Sequence, residues 1–274
     1  MTEAGPPFEQ HIPGRTEQPA APIRVAIMNQ KGGVGKSTTA VNLAAGLALR
    51  GERALLVDLD PQGNASSGLG VDRHDIKYSM YHALTEEVDV NGVIQETSLE
   101  GLHVAPATID LAGAEIELVS AFSREGRLHR ALEHTTRYDA IIIDCPPSLG
   151  LLTINALTAA TEVLIPIQCE YYALEGLSQL LQNISLVQRS LNSTLKIEGV
   201  VLTMFDARTT LASDVVREVR DYFGATAYDT IIPRAVRISE APSYGEPIEV
   251  LDPASKGARA YGDLTIEWRK RHGR

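Results

Sequence analysis

The residues with the clearest chemical meaning lie in one glycine-rich loop, 29–38, between a predicted strand at 23–28 and a predicted helix at 39–50. Glycines let backbone N–H groups turn inward, and these groups hold phosphates together with the positive end of the following helix. Lys36 can reach the β- and γ-phosphate oxygens of a nucleotide, and the Ser37 hydroxyl can ligate Mg²⁺. The loop therefore predicts a site for a nucleoside triphosphate and Mg²⁺.

Two further apolar runs end in carboxylates. The run from residue 54 leads to Asp58 and Asp60, and the run from residue 140 leads to Asp144. Ligands in open α/β sheets lie beyond the carboxyl ends of the strands, so all three side chains should point toward the phosphates. Asp144 is the predicted Mg²⁺ ligand, either directly or through a water. Asp60 is placed near the γ-phosphate and the metal, or it only caps the turn before Pro61; Asp58 either supports the site or makes a structural hydrogen bond.

The remaining pattern predicts the architecture around these residues. Apolar strands alternate with helices, which favours an α/β fold with a doubly wound, mostly parallel sheet of seven or eight strands and helices on both faces. Residues 1–21 are rich in Pro, Glu and Gln and are predicted to form a disordered tail before a single domain at 22–274. Helices are expected from 170 to about 191, and at 253–274, where a thin apolar stripe should cap the core.

Composition narrows the class of function. The net charge of −10 argues against a wholly basic nucleic-acid binder but leaves room for a local basic patch. Two cysteines without C-x-x-C spacing fit a reducing compartment, and Cys145 is best explained as a buried, inert thiol. No run of about 20 apolar residues predicts a membrane span, and the N-terminus lacks a signal-peptide pattern.

The loop departs from the usual G-x-x-x-x-G-K-[ST] pattern, because Gln30 stands at its first glycine and a second lysine, Lys31, follows. This loop, together with Asp-Cys-Pro-Pro at 144–147, resembles the deviant P-loop of the ParA/MinD group of ATPases. The resemblance extends from the loop through the rest of the chain. Since the N-terminal tail is too short for a helix-turn-helix domain, the chain is most similar to the short, chromosomal (Soj-like) kind.

The resemblance implies roles for individual residues. In this family the extra lysine, here Lys31, reaches across a dimer to the partner's nucleotide, and the aspartate matching Asp60 orients or activates the attacking water. The loop after strand 225–232 lies over the adenine, so Pro233 and Ala235 are expected there; Ala235 replaces a frequent asparagine, which leaves backbone contacts. The absence of an Asn-Lys-x-Asp motif after strand 195–206 favours ATP over GTP. The residues expected to bind the nucleotide phosphates are Lys31, Gly32, Gly33, Val34, Gly35, Lys36, Ser37 and Thr38.

Arg208 and Arg237 match arginines that bind DNA non-specifically in Soj-like relatives. The resemblance therefore implies a cytoplasmic, nucleoid-associated ATPase with slow turnover, whose ATP-bound homodimer binds double-stranded DNA and responds to a ParB/Spo0J-type partner. Three alternatives stay open on sequence alone. They are a MinD-like membrane-cycling ATPase, a metabolic enzyme such as a dethiobiotin-synthetase-like ligase, and an electron-transfer ATPase with a cluster bridging two subunits.

Overall fold

The β-branched apolar runs of the chain become neighbouring strands of one eight-stranded sheet. The computed structural model describes residues 21–171 and 177–274. The strands in this part of the chain are β1 (Ile23–Ile27), β2 (Ala54–Asp58), β3 (Gln95–Glu96), β4 (Leu102–Ala105), β5 (Ala140–Asp144), β6 (Glu162–Gln168), β7 (Lys196–Phe205) and β8 (Ala227–Pro233). Their order is β3-β4-β2-β5-β1-β6-β7-β8, and all pairs are parallel except β3 with β4. The predicted fold class is confirmed.

Helices cover both faces of this sheet. Their bounds are α1 (Lys36–Leu49), α2 (Asn64–Ser67), α3 (Met80–Thr85), α4 (Leu111–Glu117), α5 (Arg127–Ala131), α6 (Leu151–Ala159), α7 (Leu177–Ser190), α8 (Thr210–Phe223), α9 (Val236–Tyr244), α10 (Ile248–Leu251) and α11 (Lys256–Arg271). The sequence did not predict β3, which has two residues and no apolar pattern. The predicted tail lies outside the described residues except for Ala21. Of the helix predicted from 170, Glu170 and Tyr171 are not helical, 172–176 lie outside the described residues, and α7 covers the rest from Leu177.

The core forms two aliphatic layers because alternate residues of each strand face opposite sides of the sheet. In β5, Ile142 packs with α1 and α11, whereas Ile141 and Ile143 pack into the layer beneath α3–α8. Burial on both faces explains why the central strands are continuous apolar runs. It also leaves the carboxyl ends of β1, β2 and β5 as the place where polar side chains gather.

The C-terminal helix α11 caps the core as predicted, and the structure shows that it does so against α1 and β8. Tyr261, Leu264 and Trp268 are at most 1% exposed. Its basic end pairs with the chain's own carboxylates: Arg269 and Arg274 lie 2.7 and 3.2 Å from the two oxygens of Glu52. None of the helices in the described part of the chain is both long and apolar enough to cross a membrane.

His272 fastens the end of α11 to the first residue of β6. Its Nε2 lies 2.8 Å from Glu162 Oε2, and its Nδ1 lies 2.7 Å from the Trp268 carbonyl oxygen. Both oxygens are acceptors when Glu162 is ionised, so the doubly protonated ring satisfies both contacts. Burial alone would lower the pKa of His272, but these hydrogen bonds outweigh it and raise the pKa above its ordinary value.

We expect His272→Gln to destabilise the protein by about 1 kcal/mol at pH 6 and by less at pH 9. Because the folded pKa is raised, the stabilisation is complete below the ordinary pKa of His and is lost as the pH rises through the folded value. Thermal melts of both proteins across this pH range measure the difference. A constant difference in melting temperature between pH 6 and pH 9 would contradict the charged contact.

Candidate functional site

The glycine-rich loop has the backbone geometry of a phosphate cradle. Gly33 and Gly35 have φ values of +74° and +88°, which favour glycine. A Cβ at Gly32 or Gly33 would meet no other atom within 4 Å, so the inner wall of the loop is open. Helix α1 begins immediately after Gly35, at Lys36, and the N–H groups of its first turn need partners from outside the helix. Loop and helix together form a site for an anion.

Lys36 lies inside this loop. Its side chain is buried, and its Nζ donates to the Lys31 carbonyl oxygen at 3.2 Å. Burial lowers the pKa of Lys36, while the Asp144 carboxylate opposes that change. The ammonium group is thus held where phosphate oxygens would replace the carbonyl as its partners.

Two neighbouring strands hold the loop from behind. Asn29 Nδ2 donates to the Pro166 carbonyl oxygen of β6 at 2.8 Å, and Asn29 Oδ1 accepts from the Lys31 N–H. Thr203 Oγ1, on β7, donates to the Val34 carbonyl oxygen at 2.8 Å. These bonds fix the loop to the carboxyl ends of the sheet.

Asp144 is a buried carboxylate beside the Ser37 hydroxyl. It is 0% exposed, and neither oxygen makes a hydrogen bond of ordinary geometry among the described residues, although Ser37 is close enough to act on its pKa. Burial and the adjacent Asp58 carboxylate raise the pKa of Asp144 well above its usual range, against the opposing effects of Ser37 and Lys36. A buried carboxylate beside the Ser37 hydroxyl fits Mg²⁺, which is held by one or two carboxylates together with substrate phosphates.

Asp58 is paired with Asp144 in the register of β2 and β5, but its oxygens are occupied. They accept from the Ser66 N–H and hydroxyl at 2.8 and 2.7 Å, and from the Asp60 N–H at 3.1 Å. Burial outweighs these bonds and raises the pKa of Asp58 to about 6. The structure thus shows the structural hydrogen bonds of Asp58, and the bond from the Asp60 N–H also holds the backbone of a predicted site residue.

Asp60 caps a turn and also lines the cavity, while its predicted role beside the γ-phosphate and the metal remains a prediction. Its Oδ1 accepts from the Gln62 N–H at 2.9 Å, so it does cap the turn after β2. It also lines the cavity beside the glycine-rich loop, together with Lys36. A turn cap that faces the phosphate cradle is fixed in orientation, which suits a group that has to position another molecule.

The cavity over the loop has a volume of about 460 Å³. Its other wall is apolar and comes from β7 and α9, through Met204, Ile238, Ala241 and Pro242. Met204 reaches it with a φ of +53°, which is unusual for a residue other than glycine. The loop and the apolar wall together provide one region for phosphates and one for a flat base.

Sequence reasoning missed the residues of the apolar wall, because aliphatic side chains in a strand and a helix carry no chemical signal. Pro233 and Ala235, which were expected over the adenine, are not among the residues that line this cavity in the described chain. Pro233 ends β8, and Ala235 precedes α9. Their contact with a base remains a prediction.

Among the described residues, Lys31 is not part of the wall of the cavity over the loop. Its side chain is 47% exposed, and its Nζ lies 3.8 Å from Glu170 Oε2 in a loose surface ion pair. Such pairs contribute about 0–1 kcal/mol, so Lys31 can exchange Glu170 for another anion at little cost. The structure therefore separates the two lysines: Lys36 serves its own loop, and Lys31 faces outward.

Arg208 lies in the loop after β7, and Arg237 lies in the first turn of α9, which follows β8. A hydrogen bond from the Arg234 N–H to the Phe205 carbonyl oxygen joins the two segments. Arg208 Nη2 is 2.6 Å from Asp206 Oδ2, and hydrogen bonds from Arg208 lower the pKa of Asp206. Arg237 lies 3.1 Å from a Glu240 oxygen and 3.2 Å from an Asp252 oxygen. Both guanidinium groups already hold carboxylates of their own chain.

Cys145 and Cys169 are both buried, as the interpretation of Cys145 requires. Burial raises the pKa of both thiols, that of Cys169 to about 12. Within 21–171 and 177–274, no group of three or more His, Cys, Asp or Glu residues is arranged to hold a metal ion by itself.

Comparison with known proteins identifies the family. An AAA domain model matches residues 23–197. The sporulation initiation inhibitor protein Soj of Bacillus subtilis is 62% identical over 244 residues, which cover 89% of this chain and 96% of Soj. The chromosome partitioning protein ParA of Myxococcus xanthus is 56% identical over 248 residues, 90% of this chain and 88% of that protein. The chain belongs to the Soj/ParA family of chromosome-partitioning ATPases.

Solved structures agree with the Soj/ParA fold. Cobyrinic acid a,c-diamide synthase from Mycobacterium smegmatis, with bound ADP and magnesium, has a TM-score of 0.80 at 39% identity and covers 92% of this chain and 97% of its own. An ATP complex of Cyanothece McdA has a TM-score of 0.82 at 19% identity, with 93% and 97% coverage, and shows the fold alone. Proteins with different names thus share this fold, so the function of this Soj/ParA member has to be argued from its site.

Proposed function

We propose that this chain is an ATP-dependent dimeric switch that binds DNA without sequence preference while ATP is bound. Hydrolysis is slow, and a ParB-type partner accelerates it, so that the cycle moves a chromosomal or plasmid cargo over the nucleoid. The observation that carries this proposal is the separation of the two lysines. Lys36 already occupies the phosphate cradle, whereas Lys31 is half-exposed beside Glu170 and is available to the nucleotide of a second subunit.

The chain's own residues divide the work of ATP hydrolysis. Loop N–H groups and Lys36 hold the phosphates, while Ser37 and Asp144 hold Mg²⁺. Magnesium, when bound, neutralises phosphate charge. The Asp60 carboxylate, fixed by its hydrogen bond from Gln62, accepts a hydrogen bond from the attacking water and orients it.

ATP fits the shape of the cavity. The apolar residues Met204, Ile238, Ala241 and Pro242 line the same cavity as the phosphate loop and provide apolar surface for a purine. ADP with magnesium in the M. smegmatis structure supports this choice of ligand. The buried Asp144 carboxylate, which makes no hydrogen bond of ordinary geometry among the described residues, supports the choice of a divalent cation.

The switch follows from differential contacts. ATP stabilises the dimer because Lys31 of each subunit contacts the other subunit's phosphates, and loss of the γ-phosphate removes part of that contact. A dimer also doubles the number of arginines that one surface presents to DNA. ATP-dependent DNA binding then does not require a chain with a net positive charge, which agrees with the net charge of −10.

A binding assay on plain double-stranded DNA tests the proposal. We expect a gel shift with ATP, and none with ADP or without nucleotide, that is independent of DNA sequence and weakens steeply with salt. Flotation with anionic liposomes in the same three nucleotide states tests the membrane-cycling alternative. ATP-dependent binding to liposomes without binding to DNA would overturn the proposed function in favour of that alternative.

Arg208→Ala with Arg237→Ala is expected to weaken ATP-dependent DNA binding strongly while ATPase activity without DNA remains. Each dimer loses four phosphate contacts, so the slope of log affinity against log salt should fall by about 3–4. Arg53→Ala is the matched control, because Arg53 also pairs with a carboxylate, Asp139, but at the opposite end of the sheet. Equal loss of binding in the control would argue against a specific DNA face.

A further inference from the structure

We propose that Thr203 is a positioning residue for phosphate binding, acting through the peptide bond between Val34 and Gly35. This inference rests on the proposed function, since it concerns how the loop recognises the phosphates of ATP. Thr203 itself does not line the cavity in the described chain, whereas Gly35 does. Its influence on a ligand must therefore pass through the loop.

The hydrogen bond between Thr203 and Val34 is short and buried, and it reaches the loop from the sheet. Thr203 is 2% exposed, and its Oγ1 donates to the Val34 carbonyl oxygen at 2.8 Å. Thr203 lies in β7, and its carbonyl oxygen accepts from the Cys169 N–H at 3.0 Å, which ties this part of β7 to the end of β6. The hydroxyl is thus presented by a rigid part of the sheet.

Because the peptide bond between Val34 and Gly35 is planar, a hydrogen bond that fixes the Val34 carbonyl also fixes the direction of the Gly35 N–H. In a trans peptide the carbonyl of one residue and the N–H of the next point in opposite directions. The described chain contains no cis peptide bonds. Because Thr203 holds the Val34 oxygen on the sheet side, the N–H of Gly35 is turned to the other side, where the cavity lies.

The loop needs such a restraint because its glycines do not supply one. Gly35 has a φ of +88°, and a Cβ there would meet only the Thr203 side chain, at 3.9 Å. A glycine at either side of a peptide bond lets the plane rotate at small steric cost. A fixed partner for the Val34 oxygen removes that freedom before the ligand arrives, which reduces the entropic cost of binding.

Thr203→Val keeps the shape of the side chain and removes the donor. We expect it to weaken ATP and ADP binding by about 10- to 100-fold, the range for one hydrogen bond to a charged group. Adenosine, which lacks phosphates, should bind as it does to the wild-type protein. Thr203→Ser restores the hydroxyl and should restore the affinity for ATP.

Competition against a fluorescent ATP analogue measures all three ligands. Thr265→Val is the matched control, because Thr265 is also buried and donates to a backbone oxygen, that of Tyr261 at 2.9 Å, but outside the loop. Unchanged ATP affinity in Thr203→Val, or an equal loss for ATP and adenosine, would overturn the positioning role. A wild-type protein that binds no ATP would instead overturn the proposed function itself.

Discussion

Asp60→Asn is expected to reduce ATP turnover by at least about 100-fold while ATP binding and folding persist. The amide keeps an oxygen that can accept from the Gln62 N–H at the turn, but it removes the negative charge that faces the cradle. ATP-bound dimers should therefore accumulate and remain on DNA. Steady-state phosphate release and the lifetime of the DNA complex measure both effects.

Comparison of Asp60→Asn with Asp60→Ala separates the two roles of this side chain. Asp60→Ala removes the charge and the turn cap together, so it should lose turnover and also about 1 kcal/mol of stability. Asp60→Asn should lose turnover and retain that stability. Wild-type turnover in Asp60→Asn would show that Asp60 only caps the turn. The stability of both variants then decides how much the cap contributes.

Lys31→Ala is expected to abolish ATP-dependent dimers while leaving ATP binding by the monomer largely intact. Each dimer loses two hydrogen bonds to charged groups, about 3–6 kcal/mol, which is a dimer weaker by about 100- to 10,000-fold. Sedimentation with ATP measures the association, and a fluorescent analogue measures nucleotide binding. Binding to DNA should disappear together with the dimer.

Lys196→Ala is the control for this prediction. Lys196 is exposed, like Lys31, but it begins β7 at the end of the sheet away from the cradle. Its loss should leave the dimer unchanged. Dimers of Lys31→Ala that persist at wild-type concentrations would show that this lysine does not contact a second subunit, and the switch would need another cause.

The parts of the site that are local in sequence were predictable, and the parts that depend on packing were not. The phosphate loop and Asp144 each sit at the junction of a strand with a loop, where a few residues determine both structure and chemistry. Met204 and Ile238 come from distant elements, and only the order of strands brings them over the loop. The sequence did not single out Thr203 as a site residue, because threonine is a common residue in strands.

Asp58 and Asp60 show a further limit. The sequence placed both carboxylates near the phosphates and left two interpretations open for each. Contacts from Ser66, which lies eight residues after Asp58, show the structural hydrogen bonds of Asp58. For Asp60 the structure shows the turn cap and a position in the cavity wall, and its role toward the γ-phosphate remains a prediction.

Strand β7 links Thr203, behind the nucleotide loop, to the segment that carries Arg208, five residues further on. A change in the loop thus has a short covalent path to Arg208, which we propose as a DNA contact. Loop adjustments of this size take nanoseconds to microseconds. On that proposal the segment that carries Arg208 would follow the nucleotide state almost at once, and the tempo of the whole cycle would be set by bond cleavage or by separation of the subunits.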